Sequence, residues 1–236
     1  MGFGGVFDMT KKEKKSLELP IHYLMALCGG FFGAYAIASR MGNLGQAQTA
    51  NLIELVYAVI GRNPWEAMFR LIAMLVFVSG MVLATVLEKK SRWNLKYLSI
   101  ALDIAAALAL GLISAKIHPV VSLYPIFFAS AFQWCVFKGA KGYVSSTLFC
   151  TNNLKQTTVA AVEYLLAPKG EEGREEKKER SLFFGGTMLS FYLGVAVSYV
   201  LWLQYGLRSI WFNLLPLLCG LLLVRAESRE RGKSEN

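Results

Sequence analysis

Apolar runs of membrane-crossing length, parted by short basic clusters, constrain this chain more than any other feature. Residues 21–38, 71–87, 97–115, 119–137, 181–207 and 209–224 are each mostly apolar. A helix needs about 20 such residues to cross a bilayer, with a range of about 17–25. The last run is short, but its flanks extend it. Hydrophobic residues make up 55% of the 236 and charged residues 17%, where a soluble domain carries roughly 25% charged. Within lipid each segment must satisfy its own backbone polar groups, so these runs are expected to be helices. A disordered chain and a disulfide-stapled secreted domain are excluded. So is a soluble nucleic-acid binder, because the formal net charge of +9 is not gathered into a basic patch on a polar surface.

The four cysteines, Cys28, Cys135, Cys150 and Cys219, form no C-x-x-C pair and lie in or beside apolar runs. They read as small polarizable packing residues. The lysines at 11, 12, 14 and 15 precede the first apolar run in the manner of a signal peptide. The run continues to residue 38 and further spans follow, so an uncleaved first span is expected.

Basic residues also orient the spans. With the N-terminus inside, six spans place 20 Lys and Arg on the inner face and 5 on the outer, which are Arg40, Arg62, Arg70, Lys116 and Arg208. Two polar, helix-like inserts at 46–60 and 146–167 are not counted as spans. Making the first a span would move Lys89, Lys90, Arg92 and Lys96 outside. The segment 168–180, rich in both signs of charge, reads as a solvated inner loop.

The halves of the chain match in order. Ile21-His22 recurs as Ile117-His118, and Phe31-Phe32-Gly33 as Phe127-Phe128-Ala129. Thr49-Ala50-Asn51-Leu52 recurs as Thr151-Asn152-Asn153-Leu154, and Met74-Leu75-x-Phe77-x-x-Gly80 as Met188-Leu189-x-Phe191-x-x-Gly194. Ser99-Ile100-x-x-Asp103 recurs as Ser209-Ile210-x-x-Asn213. Each match is weak alone; shared order at slowly changing offsets makes a duplication. Three spans per copy invert the second copy in the membrane, the plan common among secondary transporters. The expected architecture is therefore all-α and polytopic: six transmembrane helices as two inverted three-span repeats, each with a polar broken or re-entrant helix. A basic inner tail (1–19) precedes the first repeat (20–115), and the second (116–226) precedes an inner tail (227–236).

Several of these motifs resemble a known family. They are Ala26-x-x-Gly29-Gly30-x-x-Gly33, Thr49-x-Asn51, Ala129-x-Ala131-x-Gln133, the glycine-rich turn from Gly139 that leads to Thr151-x-x-Leu154, and Gly194. Over about residues 24–224 the chain resembles the YoaK family, six-span bacterial membrane proteins of a domain class without assigned function. The resemblance implies the bacterial cytoplasmic membrane and a fold, but no activity. Members usually show Thr-Gly-Asn where Thr49-Ala50-Asn51 stands, and an Asp near Gly33-Ala34 that this chain lacks. No cation or proton role carries over to that position.

Polar groups inside spans are costly and mark candidate sites. Asp103 is the one acidic residue well inside a span, a candidate proton, cation or substrate contact; a packing hydrogen bond is the alternative. Thr49 with Asn51 and Thr151 with Asn153 could bind a small polar solute, or simply cap their helices. Gln133 could line the same cavity or glue helices together. His22 and His118, at equivalent span starts, read as interfacial, as do Trp202, Trp211, Tyr97 and Tyr205. Glu54 and Glu163 read as insert surface.

No phosphate loop, H-E-x-x-H or nucleophile elbow occurs, so neither an enzyme, a cofactor nor a metal is expected. The leading expectation is a small-solute transporter or permease in the lipid bilayer, with a homodimer as one route to a wider pathway. The alternatives are a substrate-binding subunit of a larger transporter and a non-transporting sensory or scaffold protein.

Overall fold

The computed structural model describes residues 17–232; the lysines at 11–15 and Lys233, counted above on the inner face, lie outside the described residues. Among those described, the regular structure is helical apart from a two-stranded ladder. The helices are α1 (Glu18–Ser39), α2 (Gln48–Ile60), α3 (Pro64–Lys90), α4 (Leu95–Leu112), α5 (Pro119–Ser122), α6 (Tyr124–Val136), α7 (Thr151–Leu166), α8 (Arg174–Tyr205) and α9 (Leu214–Gly232). A 3-10 segment, Gly206–Asn213, joins α8 to α9. The strands β1 (Gly139–Ala140) and β2 (Tyr143–Val144) form a short antiparallel hairpin after α6.

Four helical stretches are long and apolar enough to cross a membrane: Glu18–Ser39, Pro64–Lys90, Leu95–Leu112 and the continuous Arg174–Glu230. The first is 72% buried over its apolar window, against 22–33% for the others. The helix α1 is thus the hub, and the others turn apolar residues such as Leu75, Leu189 and Leu203 outward, as a lipid-facing surface requires. The run at 119–137 is broken. Pro125 follows the junction at Leu123, so α5 and α6 are separate helices, and neither alone has spanning length.

The two inserts are both helices. The helix α2 packs on α3, and α7 packs on α8. Likewise α1 packs on α8, and α3 on α6, while α4 lies against α6, α9 and the 3-10 segment. The close crossings rest on glycine. A Cβ at Gly30 would land on the Phe191 carbonyl, and one at Gly194 on that of Leu27, joining α1 to α8. A Cβ at Gly80 would sit 2.6 Å from the Phe128 carbonyl oxygen, joining α3 to α6. Small residues at such crossings let helices pack where lipid offers no hydrophobic drive.

The charged segment 168–180 is only partly a loop, since α8 starts at Arg174. Gly173, at φ 80°, supplies the left-handed turn before it. Glu175 and Glu176 sit in the first turn, where acidic groups suit the helix dipole. Arg174 donates to the Ala167 carbonyl and stacks over Tyr164.

Candidate functional site

Two loops that precede the inserts reach the same turn of α1. After α1 ends, the chain turns at Met41–Gly42 and doubles back, so that Gln46 Nε2 donates to the Gly29 carbonyl at 2.8 Å. Gln46 Oε1 lies where a Cβ of Gly33 would meet it, at 2.8 Å. From the other end of α1, the chain leaving the β hairpin brings the Thr147 carbonyl against Gly29, where a Cβ would collide. The loop before α7 is satisfied locally, the Leu148 and Phe149 amides donating to Ser146 Oγ and the Ser145 amide to the Lys138 carbonyl. Gln133 on α6 donates to the Met25 carbonyl at 3.3 Å and to Thr147 Oγ1 at 2.9 Å. Asn213 donates to the Cys28 carbonyl at 3.4 Å. Side chains from three separate elements therefore hydrogen-bond the carbonyls of Met25, Cys28 and Gly29.

Cavities open on both sides of this polar layer. One, of about 390 Å³, sits at the Glu18 end of α1 and is lined by His22, Lys96, Phe137, Lys138 and the hairpin. Another, of about 320 Å³, sits beyond the Ser39 end and is lined by Asn43, Leu44, Asn51, Glu54, Arg70 and Phe127. Phe127 and Phe137 lie on or just past α6, and Gln133 stands between them. Gln46, Gly29, Thr147 and Gln133 lie between these two vestibule-like cavities and line neither.

Arg70 organises the second vestibule. It bonds Glu66 at 2.6 Å and Asn43 at 3.4 Å, with Glu54 4.0 Å away. Glu66 also meets His118 Nε2 at 3.0 Å. His22 is buried and stacked on Phe183 at 5.4 Å, and neither ring nitrogen has a hydrogen-bond partner. The helix α8 extends past the start of α1 and covers it. Trp211 anchors by hydrogen-bonding the Leu108 carbonyl.

The sequence candidates separate into two groups. Asp103 and Gln133 are fully buried in the core, and Asp103 lies close enough to Cys28 to act on it electrostatically. Thr49 and Thr151, in contrast, are exposed. Asn51 is buried and donates to the Arg70 carbonyl at 3.1 Å, tying α2 to α3 at the edge of the second vestibule. Asn153 is buried and binds the loop before α7, accepting from Ser145 Oγ at 2.9 Å and donating to the Ser146 carbonyl at 3.0 Å. The two asparagines are not brought together; the residues before their helices, Gln46 and Thr147, are.

The sequence reading did not single out Gln46, Thr147, Ser99, Ser209 and Asn213 as site residues. A signal existed for the last three, since they occupy matched positions of the duplication beside Asp103. Ser99, Ser209 and Asn213 are fully buried, and each has an oxygen without a hydrogen-bond partner.

No curated protein and no solved structure matches the chain. A family model does match, over residues 21–223, and its description is a protein of unknown function. That span reaches from the first turn of α1 into α9, and it agrees with the resemblance read from the motifs. The chain belongs to this family, DUF1275.

Proposed function

We propose that the chain is a small-solute transporter or permease of the cytoplasmic membrane, with six spans, both termini inside, and a midplane site between two inverted repeats. The observation that carries the reading is the pair of vestibules at opposite ends of α1, parted by the Gln46–Gly29–Thr147–Gln133 layer. Alternating access needs such a layer, open to one face at a time, with the solute held where two broken segments meet.

The packing supports the inverted repeat. In repeat terms, the first span of each half lies on the second span of the other: α1 on α8, and α6 on α3. Each insert lies on the second span of its own half: α2 on α3, and α7 on α8. The third spans α4 and α9 face each other. A pseudo-two-fold axis in the membrane plane produces this set of pairs. The six-span count follows if α5 with α6, and α8 and α9 separately, each cross once. It then leaves the 20-to-5 distribution of basic residues described above, which sets inner termini.

In this reading Gln133 and Gln46 contact the solute, Asp103 carries charge beside it, and Asn51 and Asn153 hold the two re-entrant loops in place. The exposed Thr49 and Thr151 lie outside the path in this conformation. The lining is amide, hydroxyl and carbonyl, which suits a small polar solute.

The test is a screen of polar metabolites by thermal stabilisation of the purified protein, followed by uptake of the stabilising compound into proteoliposomes. Uptake should fall at least about tenfold in Gln133→Ala and Gln46→Ala, since each removes a hydrogen bond in a desolvated site. Uptake unaffected by both variants places the path elsewhere.

A further inference from the structure

The polar residues that repeat between α4 and the 3-10 segment form a file through the core. Lys96 pairs with Glu227 at 2.8 Å at one end of α4. Ile100 then lies against Gly220, Leu108 receives the Trp211 hydrogen bond, and Tyr35 Oη joins the carbonyls of Leu110 and Leu207 at 3.3 and 3.1 Å. These pairs set an antiparallel register. Read along it from the Lys96 end, the order is Ser99, Asp103, Asn213, Ser209. At about 1.5 Å per residue Ser99 and Asp103 stand roughly 6 Å apart along α4, and at about 2 Å per residue Asn213 and Ser209 stand roughly 8 Å apart along the 3-10 segment.

All four side chains are 0% exposed. Ser99 Oγ, both Asp103 carboxyl oxygens, Asn213 Oδ1 and Ser209 Oγ lack hydrogen-bond partners. A core with five such oxygens in one file is costly unless something else binds them. Asn213 and Ser209 lie on an eight-residue 3-10 segment, where runs beyond 3–4 residues are uncommon and often mark a functional hinge. Gly206, at φ 54°, opens it.

We propose that Asp103 is the proton-binding group that couples solute movement to a proton gradient. The proton reaches it from the Lys96-lined vestibule by way of Ser99, and leaves toward the other face by way of Asn213 and Ser209. This rests on the transport reading and adds its energy source. The step balances simply: a proton from water protonates the carboxylate at one face, and the carboxylic acid returns it to water at the other.

A proton suits the geometry better than a metal ion. An alkali ion needs several oxygens around one point, and here the oxygens are strung out along the helix pair. The single carboxylate also offers one charge only. Cys28 on α1 lies near Asp103, and among the described residues neither carboxyl oxygen of Asp103 has a hydrogen-bond partner. Arg70 on α3 is paired with Glu66. Lys96 with Glu227 closes one end, and at the other Arg40 is committed to the carbonyls of Ile113 and Ser114.

The test is infrared titration of the full-length protein in lipid between about pH 5 and pH 9, reading the carbonyl stretch of a protonated carboxyl group, with buried acids expected to titrate far from their solution range. A buried-carboxyl band should change with pH, fall to under about a tenth in Asp103→Asn, and return in the exchange variant Asp103→Asn with Asn213→Asp, because the two positions are equivalent in the repeats. The exchange variant also guards against simple misfolding. An unchanged band in Asp103→Asn overturns the proposal. So does a band that responds to sodium at fixed pH and not to protons. The spectra need no solute, so their failure is separate from failure of the transport reading. Solute uptake that ignores an imposed pH gradient overturns the coupling while leaving transport standing.

Discussion

Gly80→Ala isolates the close crossing of α3 and α6. The added Cβ would sit 2.6 Å from the Phe128 carbonyl oxygen and 3.1 Å from Ala131 Cβ. Ordinary contacts between such atoms lie near about 3.5 Å, so the helices must part by several tenths of an ångström. The obstacle is backbone, which cannot rotate aside. Overpacking of this kind costs about 1–3 kcal/mol. Alanine also gains about 1 kcal/mol of helix propensity over glycine, which would blur a comparison with wild type. Gly185→Ala is therefore the proper reference. It lies inside α8, gains the same propensity, and meets only the Thr157 side chain, at 3.4 Å from Cγ2 and 3.9 Å from Oγ1. The difference between the two variants is then the packing cost. At about 2–4 °C per kcal/mol for a chain of this size, Gly80→Ala should melt roughly 2–12 °C below Gly185→Ala. The assay is thermal unfolding of the purified proteins in one detergent at one scan rate. Equal melting temperatures, or a more stable Gly80→Ala, would refute the close crossing.

Tyr35→Phe removes the hydroxyl that joins the carbonyls of Leu110 and Leu207, and should lower stability by about 1–3 kcal/mol in the same melting assay; an unchanged melting temperature contradicts the junction. With the native cysteines removed, Met41→Cys, exposed at the turn after α1, should react with an impermeant thiol reagent only from the outside, and Val144→Cys, exposed on β2, only from the inside. Reaction of both from one face is incompatible with inverted repeats. Asn153→Ala frees Ser145 and Ser146 and should speed proteolysis or hydrogen exchange in residues 145–150 while leaving α2 protected; equal change at both inserts would contradict separate roles.

Much of the helical plan is legible in the sequence because membrane spans are written in composition. The starts of α1 and α4 fall within three residues of the apolar runs. The inserts stand out because Gln48, Asn51, Thr151 and Asn153 interrupt apolar sequence. What escapes is position within the layer. Thr49 and Asn51 look alike on the page, yet a helix turns successive residues to different faces, and only Asn51 turns inward. Gln46 and Thr147 meet α1 through chain reversal across 17 and 118 residues, which no local pattern encodes. The place of His22 at the start of an apolar run does not reveal that the extra length of α8 covers it. The start of α8 is misplaced because charge suggests solvent, and charge does not forbid a solvated helix. The match of Ser99 and Asp103 to Ser209 and Asn213, by contrast, is a sequence signal for the polar file, visible once the copies are aligned.

The reactivity of Cys28 tests the midplane site most directly. Its side chain is fully buried, its carbonyl receives Asn213, and it stands between the two vestibules. In a variant with Cys135, Cys150 and Cys219 replaced by serine, a small hydrophilic thiol reagent is applied to one face of sealed proteoliposomes at a time. If the layer opens alternately, Cys28 is modified from each face in separate experiments, and the stabilising solute slows both reactions. If Cys28 reacts from neither face until the protein unfolds, the centre is a sealed core and the transport account is wrong.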